Sequence, residues 1–100
     1  MIRRLAPMRP SAGTRIPAAV RDEVRARDGQ CVGSLLGWGG DCAGGLELDH
    51  VRPGGTGMKS PSTPDNLVSL CGSHHRAKTE RGRSLRPSLI AYLERLEEGL

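Results

Sequence analysis

The side chains with chemical potential in this chain form two groups that share one short segment. The first is Cys31, Cys42, Cys71 and His74. Thiolate and imidazole are the ligands that tetrahedral zinc prefers, and four of them close the coordination sphere, which makes such a site structural. Cys71 and His74 are spaced i, i+3, so at the start of a helix they face one side and can chelate one ion. Ten residues separate Cys31 from Cys42, far more than the usual two to four between paired zinc ligands. The glycine-rich run between them must fold back to join the thiols; buried, unliganded thiols are the other reading. The second group is Asp49, His50, Asn66 and His75. A carboxylate and neutral imidazoles can hold a divalent ion with positions open for water and phosphate, and a His free of metal can take a proton from water near neutral pH. His74 and His75 lie roughly 100° apart around a helix, so one can serve zinc while the other points elsewhere.

These residues need elements to position them. Pro17 suits a first helical position, Val20 and Val24 share a face, and Gly29 after Asp28 is a C-terminal stop. Arg21 and Arg25 on a neighbouring face suit either phosphate or solvent. Residues 31–45 contain six glycines, which predicts a loop folded around something rather than a regular element. Leu46, Glu47 and Leu48 begin a short alternating strand. Strict alternation would put Asp49 and His50 on opposite faces, so both reach one site only if the strand ends or curls there, and Val51-Arg52-Pro53-Gly54-Gly55 supplies such an ending. Residues 52–64 hold three Pro and three Gly and predict a long loop. Residues 67–70 suit a second strand and 71–80 a helix. After a basic linker with Arg81, Arg83 and Arg86, Pro87 can open a last helix in which Leu89, Leu93, Leu96 and Leu100 form a stripe that packs on the domain or, alternatively, on a second copy. A monomer is the favoured expectation.

With 100 residues, no Phe and only Trp38 and Tyr92 as aromatics, the core is thin, and a metal staple is expected. An odd count of three Cys, with no signal-peptide pattern, points to an intracellular chain whose thiols stay free for metal. No run approaches the roughly 20 apolar residues that span a bilayer, so no membrane partner is expected. Fifteen Lys and Arg against eleven Asp and Glu give a net charge of +4, which favours a polyanionic partner. Single strands are commonly held by aromatic stacking, which this chain can scarcely offer, so a duplex gripped by its backbone fits better. Residues 1–15, with Arg3, Arg4, Arg9 and Arg15, read as a flexible basic arm preceding one domain over 16–100.

Leu46-Glu47-Leu48-Asp49-His50-Val51, then Asn66-Leu67, then Leu70-Cys71-Gly72-Ser73-His74-His75-Arg76-Ala77-Lys78-Thr79 resembles the HNH endonuclease family. Arg27-Asp28-Gly29-Gln30-Cys31 is similar to that family's lead-in to its first zinc cysteine. The resemblance implies a small α+β fold with a ββα-metal core and a structural zinc, flanked by an N-terminal and a C-terminal helix. It implies a metal-dependent nuclease acting on double-stranded DNA, with His50 as general base and with Asp49 and His75 on one catalytic ion, Mg²⁺ or another divalent cation such as Mn²⁺. Asn66 would either ligate that ion or orient the His50 loop, and the products would carry 5′-phosphate and 3′-hydroxyl ends. Arg52, Lys59, Arg76 and Lys78 are candidates for phosphate contact, which positions a duplex without reading its sequence. Small chains of this kind are often phage-encoded and work beside the DNA-packaging terminase, which suggests a host-cytoplasmic setting. The rival expectation is a non-catalytic, zinc-finger-like DNA-binding or adaptor module.

Overall fold

A computed structural model describes residues 15–53 and 60–99. Most of the expected basic arm, Lys59 and Leu100 lie outside the described residues. The order is α1 (Ala18–Asp28), a one-turn α2 (Val32–Leu35), β1 (Leu46–His50), a 3-10 turn (Pro64–Asn66), β2 (Leu67–Cys71), α3 (Gly72–Glu80) and α4 (Gly82–Glu97). Among the described residues this is a small α+β fold built on one antiparallel strand pair. No described helix is long and apolar enough to cross a membrane.

In α1, Val24 is fully buried, whereas Val20 is half-buried. Pro17 caps this helix rather than opening it, its carbonyl taking the Arg21 N–H at 3.0 Å. The expected stop is present: Gly29 has φ 70° and donates its N–H to the Arg25 carbonyl at 2.9 Å, a left-handed closure that glycine makes without a Cβ penalty. The last turn of α1 then ties the molecule together. Arg27 donates to the carbonyls of Pro64 and Leu67, each at 2.7 Å, and to Asp28 Oδ1 at 2.8 Å. The buried Asp28 also accepts the Tyr92 hydroxyl at 2.7 Å and the Ser69 N–H at 2.8 Å. One Arg-Asp dipeptide thus joins α1 to the 3-10 turn, β2 and α4, with every charge hydrogen-bonded, as burial requires.

The strands pair from Leu46 opposite Cys71 to His50 opposite Leu67. All five β2 residues are buried, but β1 runs the other way from a hydrophobic strand: Leu46 is exposed and Asp49 is buried. Opposed residues share a face, so Glu47 and Asp49 lie on the same side as Leu70 and Val68. Val68, Leu70, Val32 and Val51 pack with Leu89, Tyr92 and Leu93 of α4 in the core. The leucine stripe therefore faces the domain at Leu89 and Leu93, with Leu96 packed partly against it.

Two expectations are corrected. The glycine-rich segment contains helix α2, because buried Val32 anchors a turn in which Cys31 and Val32 carbonyls accept the N–H groups of Leu35 and Leu36. Pro87 lies inside α4 rather than at its start, so Arg83 and Arg86 belong to the helix and not to a linker. Interior proline forfeits the bond to the carbonyl four residues back and costs about 3 kcal/mol; here that carbonyl belongs to exposed Arg83, where water can satisfy it, and packing of Leu89, Tyr92 and Leu93 offsets the loss.

Burial and the Asp28 carboxylate push the Tyr92 hydroxyl up to about 12. Because the folded value exceeds the unfolded one near 10, this contribution is complete below pH 10 and fades as pH climbs toward 12. Tyr92→Phe should cost about 1–2 kcal/mol at neutral pH. Denaturant titrations from pH 8 to 11.5 should show the two proteins converging at the alkaline end; a constant gap would reject the assignment.

Candidate functional site

Four segments deliver the first group of ligands to one point. Cys31 follows α1, Cys42 comes from the glycine-rich loop, Cys71 ends β2 and His74 lies in the first turn of α3. Their ligand atoms all lie within 4.8 Å of one another. His74 Nδ1 stands 3.4 Å from Cys31 Sγ, 3.6 Å from Cys42 Sγ and 3.2 Å from Cys71 Sγ. A tetrahedral ion with sulfur at about 2.3 Å and nitrogen at about 2.0 Å separates those ligands by about 3.5 Å. The four residues are positioned to hold a metal ion, and the long Cys31–Cys42 gap is no obstacle.

The surroundings favour an ion as well. His74 Nε2 donates to the Gly39 carbonyl at 3.1 Å, which leaves the Nδ1 lone pair facing the thiols. Cys71 caps α3 by accepting the His74 N–H at 3.4 Å, and Cys31 accepts the Cys71 N–H at 3.3 Å. Burial opposes ionisation of Cys71, but hydrogen bonds from Ser73 and from the backbone of His74 and Ala43 outweigh it and bring the thiol down to about 5. Cys42 is pushed up to about 11, first by its hydrogen bond to Cys71, then by burial and by Cys31. Without a cation, one thiolate accumulates and suppresses the next; a divalent ion removes that conflict. Trp38 packs edge-on to His74 with centroids 6.0 Å apart, and a Cβ on Gly33 would meet Trp38 at 2.8 Å and His74 at 3.1 Å. Gly33 is therefore a requirement of the cluster.

The second group is only partly gathered. Asp49 is 6% exposed, and its Oδ1 lies 3.2 Å from His75 Nε2. Asp49 Oδ2 is buried, makes no hydrogen bond, and has Lys78 Nζ at 3.2 Å as its counter-charge. Glu47 Oε1 takes the other ring nitrogen of His75, Nδ1, at 2.6 Å. The His50 ring turns to the following loop, where its Nε2 lies 2.9 Å from the Ser62 hydroxyl. Burial, chiefly, and the Lys78 charge lower its pKa, against the pull of Asp49. Asn66 spends its amide on the same loop: Oδ1 accepts the Arg52 N–H at 2.9 Å, and Nδ2 donates to the carbonyls of Pro61 at 3.0 Å and Arg52 at 3.3 Å.

Among the expected phosphate contacts, Arg76 is exposed, and half-buried Arg52 reaches the Asp65 carbonyl at 3.2 Å. Lys78 is 8% exposed and turned inward, to Asp49 Oδ2 at 3.2 Å and to the His50 carbonyl at 3.1 Å. Sequence reasoning missed Glu47, Gly39 and Ser62. Glu47 had a signal, since it stands two residues before Asp49 and shares its strand face; the other two contacts arise from loop geometry.

No family model, curated protein or solved structure matches this chain.

Chelation at neutral pH should unfold the cluster region and change emission from Trp38, the sole tryptophan. Gly33→Ala should cost about 1–3 kcal/mol by overpacking and weaken metal retention against a competing chelator. Emission and far-UV ellipticity unmoved by complete metal removal would show that the cluster contributes nothing to folding.

Proposed function

We propose that the chain is a metal-dependent endonuclease of the HNH type that hydrolyses phosphodiester bonds in double-stranded DNA. The observation that carries this reading is the meeting of Asp49 Oδ1 and His75 Nε2 at 3.2 Å, next in sequence to His50 and within the pattern that resembles that family. In this reading β1, β2 and α3 form the ββα-metal unit, and Cys31, Cys42, Cys71 and His74 hold a structural zinc. Asp49 and His75 would hold a catalytic divalent ion such as Mg²⁺ or Mn²⁺. The fit is supported by the donor set itself, a buried carboxylate oxygen and an imidazole nitrogen facing each other at Asp49 Oδ1 and His75 Nε2, while Asp49 Oδ2 faces Lys78 Nζ at 3.2 Å. Bound there, the ion would supply positive charge against the scissile phosphate and the departing 3′ oxygen.

The chain's own residues supply the rest. His50 is the general base: burial keeps its ring neutral, and its side chain is fastened to the loop rather than to Asp49 or His75. It takes the proton of the attacking water, and the products keep a 5′-phosphate and a 3′-hydroxyl. Asn66 acts as a positioning residue, because its amide is engaged by the backbone that carries the loop away from His50. Arg76 and Arg52, with Lys59, would meet duplex phosphates and set orientation.

A second reading, a non-catalytic zinc-bearing DNA-binding module, is favoured by one fact. Lys78 and Glu47 already give Asp49 and His75 partners without any ion.

Supercoiled plasmid separates the two. Cleavage should require Mg²⁺ or Mn²⁺, stop on chelation, and fall about 10²–10⁴-fold in His50→Ala, with duplex binding retained. Mobility shift without cleavage supports the binding module, and full turnover by His50→Ala sinks the mechanism. Elemental analysis should find one zinc per folded chain; its absence would refute the zinc assignment.

A further inference from the structure

His75 stands between two carboxylates that approach opposite nitrogens of one ring, Glu47 at Nδ1 and Asp49 at Nε2. We infer that Glu47 is a positioning residue that selects the metal-binding nitrogen of His75: it accepts Nδ1–H and so leaves the Nε2 lone pair facing Asp49. The inference rests on the reading of Asp49 and His75 as the ion site.

The two distances assign different work to the two carboxylates. Cis ligands of an octahedral ion with bonds of about 2.1 Å lie about 3.0 Å apart. The Asp49–His75 separation of 3.2 Å suits that geometry, whereas 2.6 Å between Glu47 and His75 is a hydrogen bond with no room for an ion. Burial agrees with this division. The Asp49 side chain is 7% exposed and that of Glu47 53%, so the inner carboxylate serves as ligand and the outer one as the partner of the histidine. Strand geometry makes the arrangement possible, because residues two apart on one face are roughly 7 Å apart, the span into which one imidazole from α3 fits.

His74 gives an internal precedent. Its Nε2 is bound to the Gly39 carbonyl and its Nδ1 faces the thiols. Its neighbour His75 has the reverse assignment, with Nδ1 bound to Glu47 and Nε2 facing Asp49. Each ring is held by an acceptor on the side away from its site, the arrangement that fixes tautomer and raises ligand basicity at metal centres. Adjacent histidines on one helix turn are thereby kept for two different ions.

The test is titration of zinc-loaded protein with Mn²⁺, followed by the resonance of the free ion. Wild type should bind Mn²⁺ at this site and Asp49→Asn should lose it. Glu47→Ala should weaken binding about 10–100-fold, whereas Glu47→Gln, whose amide oxygen still accepts Nδ1–H, should recover most of the affinity. Zinc content and Trp38 emission should be unchanged in both variants. Long-range nitrogen–proton correlation on the metal-free second site should find His75 Nδ1 protonated in wild type. Wild-type affinity in Glu47→Ala, failure of Glu47→Gln to rescue, or an unprotonated Nδ1 would overturn the role of Glu47 alone. Absence of Mn²⁺ uptake by wild type, or uptake indifferent to Asp49→Asn, would overturn the ion site and this inference with it.

Discussion

The convergence of Cys31, Cys42, Cys71 and His74 is the constraint on which the rest of the structure depends. The four side chains come from the end of α1, a loop, the end of β2 and the start of α3, so an ion at their centre would fix the mutual placement of the elements that bear the other proposed site residues. Among the described residues the apolar core is small and the strands form one pair, which leaves much of the mutual placement to polar ties. The same point sets the direction of α3. With His74 turned to the thiols, the next residue must project about 100° away, and that direction leads to Asp49.

A second set of ties handles what the cluster does not touch. Arg27 and Asp28 bind the backbone of the 3-10 turn and β2 and the hydroxyl of Tyr92. They hold the far end of the strand pair, at Leu67, where the Cys/His cluster holds the near end, at Cys71. The Arg-Asp dipeptide before the first cysteine is thus an architectural element, and its distance from the proposed chemistry is explained by that work. Lys78 has a similar character: an ammonium placed among Asp49 and the His50 carbonyl joins the proposed ligand strand to α3.

Much of this was legible in the residues because local rules and tertiary demands agreed. Gly29 closes α1 as its position suggests, the strand pair forms at the two expected segments, and the adjacent histidines divide between two neighbourhoods. Where the reading departed from the structure, packing overrode local preference. Helix α2 forms in a glycine-rich stretch because Val32 is drawn into the core, and α4 runs through Pro87 because the bond that proline forfeits falls on the exposed Arg83, where water can replace it. The alternation at Leu46, Glu47 and Leu48 located strand β1 but not its buried face, since the buried position belongs to Asp49 and an exposed one to Leu46. Pattern rules fail where a buried position is given to a polar group, as at Asp49. The inward turn of Lys78 and the contacts of Gly39 and Ser62 depend on where loops pass in space, which spacing along the chain does not encode.

The three hydrogen bonds of Asn66 give the loop a fixed base. Arg52 on one side and Pro61 on the other are bound to the same amide. One buried amide thus clasps the backbone beside both members of the His50–Ser62 contact, so the ring and its hydroxyl partner are held in register from a side chain that touches neither.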